Sequence, residues 1–407
     1  MRIGLLSLNF NPVTGGGSHH SIAFMIKCLS ERGHDVSLFT VFSNNNIPPE
    51  TKFRVIENDF NGPFLDLQKK VADLLREHEN DFDIYIFVGP PMLWGGGMYK
   101  NQGGRAKVIT FLNNYTEGMG EHQADLQGLP FAKKIKPTIQ ARLFRYKRFF
   151  WEKCVGMKHV RGLDSIIATS PALRAVYESF GYPKEKMATM PDWVDADALH
   201  RDVAGTLEHN ADTFHLLHAG RLMYDKGADI LIAAIPDVLK KHNVSLTIVG
   251  DGPQKKYLQK MIADLQIEKK VRLQGWMPHH DLVQYYKQAD ILVHPCRWTE
   301  PFGLVAAELV FLGKPIITTA PTGSQWIAGK GGLVAQKNSP RSVAEKICDI
   351  IENKNLRDTL SENALKRAQV LDRNNIVPLF ETFLENLVQD KENVSRNIFP
   401  ANLADSE

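Results

Sequence analysis

The sequence predicts an α/β protein built as two doubly wound, parallel-sheet domains facing a central cleft. Three observations predict it. Short apolar runs alternate with helix-length stretches, which gives parallel sheets covered on both faces. That programme runs twice, and each time a glycine-bearing loop follows the first strand and opens a helix. The length, 407 residues, suits two domains of ordinary size. In such sheets ligands bind at the carboxyl ends of the strands.

The first programme opens with strand Arg2–Leu8, the loop Gly15-Gly16-Gly17 and a helix from Ser18 to about Arg32. Gly33 stops that helix and strand Asp35–Val41 follows. Ile84–Val88, Val108–Leu112 and Ser165–Thr169 read as further strands, so 1–195 forms the first domain. Residues 196–213, inside the polar stretch Pro191–Thr213, read as a linker. The second programme occupies 214–375, with strands Phe214–Ala219, Ser245–Val249, Val271–Leu273, Ile291–His294 and Pro315–Thr319. Gly220 and Gly227 open a helix reaching Lys241, and helices follow from Ser339. Residues 376–407 read as a helix packing back toward the first domain, then a frayed tail.

Composition narrows the class. With 43% hydrophobic and 23% charged residues the chain reads as globular. No apolar run approaches the ~20 residues of a membrane span. The chain starts at once with a strand, which leaves no room for a signal peptide. Cys28, Cys154, Cys296 and Cys348 are scattered without CxxC spacing. That argues against a zinc site or disulfide framework and for a reducing, cytoplasmic setting. The net charge of +3 is too small to imply a nucleic-acid partner.

The chemistry concentrates in Glu300-Pro-Phe-Gly-Leu-Val-Ala-Ala-Glu308. Pro301 favours an extended residue before it, so Glu300 reads as the last loop residue. Leu304–Phe311 then reads as a buried helix, with Glu308 about one turn and a half inside. The free N–H groups of its first turn can take phosphate or sugar oxygens, while the carboxylates can take hydroxyls. That combination suits a nucleotide sugar. Gly220-Arg221-Leu222 with Lys226-Gly227 also follows a strand, and Arg and Lys there can grip a diphosphate at a helix N-terminus.

Other motifs keep two readings. Gly15, Gly16 and Gly17 let backbone N–H groups approach an anion, or form a simple loop. Gly250-Asp251-Gly252-Pro253 is a capped turn that can also border a ligand. Trp276 and Met277 in Gln274-Gly275-Trp276-Met277-Pro278 can wall a nucleobase or pack under the next helix. His218 and His294 end strands without metal-ligand spacing. Asp81-Phe-Asp83 and Asp195-Ala-Asp197 match DxD by three residues only and read as structural, so no metal is expected. Residues 133–161 are basic and interleaved with aromatics such as Phe150 and Trp151. They can meet an anionic membrane or acceptor, or form a solvated helix docked on its own domain.

Taken in order, His218-Ala-Gly-Arg-Leu222, Lys226-Gly227, Val249-Gly-Asp-Gly-Pro253, Gly275-Trp276 and Glu300 through Glu308 resemble a known family. They are similar to family 4 of the retaining GT-B glycosyltransferases, whose two domains are Rossmann-like. The first half matches more weakly, through its glycine loop and Arg32-Gly-His-Asp-Val36. The resemblance implies that Arg221 and Lys226 hold the donor diphosphate and stabilise the leaving group without a metal or other cofactor. It implies that Glu308 binds ribose hydroxyls and Glu300 faces the donor sugar. Phe302, Gly303 and Leu304 would contact sugar and phosphate, with Gly15–Gly17, Gly220, Gly250, Trp276 and Met277 completing the donor site.

Two departures stand out. Asn113-Asn114 replaces a histidine that many relatives place after this strand, so Asn113, or His122 nearby, takes its positioning role. Gln325 stands where the family often has a glutamate. The expected activity is transfer of a hexose-type sugar from a nucleotide-diphosphate donor, UDP favoured, to a hydroxyl acceptor. The expected product is a surface glycan, glycolipid or glycosylated natural product. An epimerase, a phosphorylase or a silent nucleotide-sugar-binding protein on the same fold are the competing readings.

Overall fold

The computed structural model describes residues 1–11, 17–43, 45, 47, 52–115, 150–200, 212–391 and 398–399. Gly15, Gly16 and His122, together with 133–149 and 201–211, lie outside the described residues. The chain separates into two compact units. Among the described residues one holds the chain up to Trp193 and again from Arg373, and the other holds Val194–Asp372.

The first unit is a seven-stranded sheet in the order β3-β2-β1-β4-β5-β6-β7. Its strands are β1 (Arg2–Ser7), β2 (Asp35–Thr40), β3 (Arg54–Glu57), β4 (Ile84–Val88), β5 (Lys107–Leu112), β6 (Ser165–Ala168) and β7 (Met187–Thr189). Every pairing is parallel. The order reverses between β1 and β4, the switch point of a doubly wound sheet. The helix Gly17–Glu31 starts at Gly17, the one member of the glycine loop that is described.

The second unit repeats the plan with six parallel strands, ordered β10-β9-β8-β11-β12-β13. These are β8 (Phe214–Ala219), β9 (Val244–Val249), β10 (Val271–Gly275), β11 (Ile291–His294), β12 (Ile316–Thr319) and β13 (Gly332–Ala335). Here the order reverses between β8 and β11.

Three strands escape the sequence pattern: β3, β7 and β13. All three are sheet edges. An edge strand has one partner and a partly solvated face, so it needs neither the length nor the apolar run that marks a central strand. The stretch read as linker also contains structure. The short helix Ala196–His200 follows Asp195, whose carboxylate accepts from the Ala198 N–H at 3.2 Å.

The helix Arg373–Val388 belongs to the first unit. Phe380 packs edge-on against Phe111 and Trp193. Glu381 takes an ion pair from Arg32 and a 2.9 Å hydrogen bond with His34 Nε2. No helix among the described residues is long and apolar enough to cross a membrane.

Asp192 is buried in the first unit, where it accepts from the Ser21 hydroxyl and from the Trp193 N–H. Burial outweighs both bonds and pushes its carboxyl up to about 6 from 3.8. The folded protein therefore holds this proton more tightly than the unfolded chain does. Stability from this group is complete below the unfolded value and is lost as pH rises to about 6. The loss amounts to roughly 3 kcal/mol. Asp192→Asn keeps the acceptor and removes the charge. We expect its melting temperature to exceed wild type above neutrality and to match it near pH 4, as calorimetry would show.

Candidate functional site

β8 and β11 are hydrogen-bonded neighbours at the switch point of the second unit. Parallel strands end on the same side of a sheet, so the loops leaving them emerge together. That is why Lys226 and Glu300, 74 positions apart, meet: Lys226 Nζ donates to Glu300 Oε1 at 2.5 Å. His294, the last residue of β11, places Nε2 at 3.1 Å from the same oxygen. The Ser324 hydroxyl donates to Oε2, and the Gly323 N–H donates to the Glu300 carbonyl at 2.7 Å. Lys226 also lies 5.2 Å over the Trp298 ring.

Two glycines permit this approach. Gly227 has φ +74°, and a Cβ there would lie 2.1 Å from the Pro295 carbonyl oxygen. Gly303 has φ +89°, and a Cβ would lie 2.1 Å from the Ser324 hydroxyl and 2.8 Å from Glu300 Oε2. Any other residue at either place would separate the two loops or strain the backbone.

The charges lock one another. Burial opposes ionisation of Glu300, but His294 and Lys226 outweigh it and hold the carboxyl well below its usual range. Burial likewise opposes the Lys226 charge, and Glu300 more than restores it. For His294 burial is outweighed by Cys296 and Glu300, which push the imidazole up to about 10. Stacked on it at 5.4 Å is His218, driven down to about 3 by burial and by its charged neighbour.

A second buried pair holds the loop that carries Lys226. Arg297 is 1% exposed and grips Asp229 with two 2.7 Å bonds. Its Nη1 also donates to the Tyr224 carbonyl at 2.6 Å, and its guanidinium lies 4.0 Å over the Tyr224 ring. The Arg297 N–H donates to the Asp225 carbonyl at 2.8 Å. Tyr224, Asp225 and Lys226 form one short turn, so Arg297 fastens that turn to the loop of Glu300.

The other candidates fall as follows. Arg221 is exposed and makes no ion pair among the described residues. Gly220 and Gly250 leave adjacent strands β8 and β9. Trp276 is 56% exposed just beyond β10, beside the partly buried Met277. The helix Leu304–Phe311 has the expected limits and no side-chain cap, with Phe302 buried before it. Glu308 is its fifth residue, as those limits require. Both its oxygens are engaged, Oε1 with His279 Nε2 and Oε2 with the Tyr286 hydroxyl, each at 2.7 Å. Gln325 lies in the helix Gly323–Ala328. Asn113 and Gly17 belong to the first unit, where Asn113 directly follows β5 near Gly89.

As for metals, His294, Cys296 and Glu300 bring donor atoms within 4.8 Å of one another, as do His242, Cys348 and Glu352. In the first set the Lys226 ammonium already sits on the carboxylate oxygen a cation would use. In the second, Lys241 stands 3.9 Å from Glu352. Asp83 is held by Arg2 and Asp195 caps a helix, so both DxD pairs carry structural duties.

Sequence reasoning missed His294, Ser324, Arg297 and Asp229 as parts of the site. The position of His294 at the carboxyl end of a strand, one loop before Glu300, was the available signal. Ser324 and Asp229 offered none, because only tertiary folding brings them to Glu300 and Arg297.

Comparisons with known proteins bear on the family and the fold. The family described as Glycosyl transferases group 1 matches residues 204–367, and Glycosyltransferase Family 4 matches residues 15–198. The chain is 33% identical over 153 residues to the uncharacterized glycosyltransferase MJ1607 of Methanocaldococcus jannaschii. That match covers 37% of this chain and 39% of the relative, so the chain spans about two fifths of that protein's length. Among solved structures, sucrose-phosphate synthase from Thermosynechococcus elongatus is similar with a TM-score of 0.74 at 21% identity, covering 96% of this chain and 100% of that one. Anabaena Alr3699/HepE in complex with UDP and glucose is similar with a TM-score of 0.71 at 20% identity, covering 95% and 100%. These likenesses are of fold, and the fold is GT-B, with two Rossmann-like domains.

Proposed function

The chain belongs to the group 1 glycosyl transferases of glycosyltransferase family 4, and from that premise we propose that it moves a hexose-type sugar from a nucleotide-diphosphate donor to a hydroxyl acceptor. The observation that carries this reading is the grouping at the β8–β11 switch point. The exposed Arg221, without an ion pair among the described residues, lies on the same loop as Lys226, whose partner Glu300 is itself braced by His294 and Ser324. Departure of the sugar builds negative charge on the diphosphate, and fixed cations placed there lower the barrier. No metal is needed for that role. Lys226 uses one N–H on Glu300 and has others for a phosphate oxygen.

Glu300 is an ionised carboxylate with hydrogen bonds on both oxygens. Such a group is a poor proton donor and a hindered nucleophile, which favours front-face transfer with retention over a covalent intermediate. Glu308, already oriented by His279 and Tyr286, is the ribose ligand in this reading, Trp276 and Met277 border the base, and Asn113 positions a donor hydroxyl. The UDP bound by HepE supports a uridine donor, and the product in this reading is a surface glycan, glycolipid or glycosylated natural product. Phe150 (65% exposed) and Trp151 (43% exposed), with Lys153 and Lys158 close in sequence, suit contact with an anionic membrane.

A panel of UDP-, GDP-, ADP- and dTDP-sugars scored by thermal shift tests the donor. A true donor at a hundredfold excess over its dissociation constant adds about 2.7 kcal/mol, and no shift with any member would sink the proposal. Product anomer by NMR and a chelator control test retention and metal independence. Turnover that requires free phosphate, or donor isomerisation without acceptor, would favour the phosphorylase or epimerase. Absence of binding to phosphatidylglycerol vesicles at low salt would remove the membrane contact.

A further inference from the structure

We propose that His294 is a positioning residue for the transfer, acting through Glu300: it fixes that carboxylate from the strand side and leaves Lys226 able to turn toward a donor phosphate. This rests on the function proposed above and adds to it a residue that the sequence motifs do not single out.

The geometry is specific. Glu300 Oε1 takes Lys226 Nζ at 2.5 Å and His294 Nε2 at 3.1 Å, while Oε2 takes Ser324. Three donors on two oxygens define the plane of the carboxylate as well as its place. Lys226 stands on a short turn and carries its ammonium on a flexible four-carbon stem, so its head group is the partner able to turn. His294 ends a central strand, is 4% exposed and cannot follow a ligand. If Lys226 alone balanced Glu300, its movement to a diphosphate would strand a buried carboxylate, which is costly. With His294 in place Glu300 keeps a cation throughout. The buried set of Glu300, Lys226 and His294 then carries one net positive charge, suited to an anionic donor.

His218 explains why one ring is charged and the other is not. Its Nδ1–H donates to the Val293 carbonyl at 2.9 Å, and its Nε2 is buried without a hydrogen-bond partner among the described residues. Two stacked imidazolium rings would repel. The charge therefore rests on His294, which has the carboxylate. Among the described residues the titratable groups at this ring are His218 on β8 and Cys296 and Glu300 on its own loop, with Lys226 sharing the Glu300 oxygen and Asp225 beside Lys226 on its turn.

The test compares His294→Phe with His294→Gln, whose amide N–H can reach where Nε2 lies. For the Phe variant we expect kcat to fall on the order of 10²-fold with donor KM changed less than about threefold, and for the Gln variant at least about tenfold recovery of kcat. Equal activity of both variants, whether near wild type or equally impaired, would overturn the proposal. A second arm is independent of turnover, so failure of the glycosyltransferase reading itself is distinguishable. In ¹⁵N-histidine NMR at about pH 7.5, His294 should carry protons on both ring nitrogens in wild type and on one in Glu300→Gln. A singly protonated His294 in wild type would overturn the pairing even if no donor is ever turned over.

Discussion

Glu300→Gln and Lys226→Ala are each expected to fold and to lose turnover on the order of 10²–10³-fold, the usual cost of removing one electrostatic stabiliser from a dry site. The two losses differ in kind. Gln keeps an acceptor for Ser324 but removes the negative charge that His294 and Lys226 share, so His294 gives up its second proton and Lys226 is left as a buried cation without a counter-charge. Ala at 226 removes the cation nearest the proposed leaving group, while Glu300 still holds His294 and Ser324. Its stability cost should therefore be smaller than the ~3–5 kcal/mol typical of a broken buried pair. Steady-state kinetics with circular-dichroism melts check both. Near-normal turnover in the two variants together would place the chemistry elsewhere.

The second large effect concerns Arg297. Arg297→Met leaves Asp229 buried without its partner and is expected to cost about 3–5 kcal/mol by denaturant titration. The double variant Arg297→Met with Asp229→Leu should be more stable than either single change, because well-packed apolar groups replace a buried pair at little cost. Turnover should stay low even in the double variant, since the Tyr224–Lys226 turn loses its tie to the Glu300 loop. A double variant as unstable as the singles would show that the pair contributes through its hydrogen bonds to Tyr224 rather than through its charges.

How much of this was legible beforehand depended on range. The helix Leu304–Phe311, with Glu308 on it and Glu300 in the loop before it, follows from local rules: a proline that ends an extended stretch, a glycine able to adopt φ +89°, and an apolar run of helical length. Central strands such as β4 announce themselves as unbroken apolar runs because both their faces are covered. The edge strands β3, β7 and β13 lack that signal. Buried charge is the other blind spot. Asp229 in the first turn of a helix looks like an ordinary solvated acid, and only its meeting with Arg297 shows otherwise.

By itself the sequence determined the two-domain α/β plan, the family and the residue types of the site, since all three rest on short-range patterns of hydrophobicity, glycine and charge. Tertiary structure alone decided who meets whom. Parallel pairing of β8 with β11 sends two distant loops out side by side, so Lys226 and His294 share one oxygen of Glu300. Packing of the helix Gly323–Ala328 brings Ser324 to the other oxygen. Contacts between residues far apart in the chain are set by sheet order and close packing, and neither leaves a local trace in the sequence.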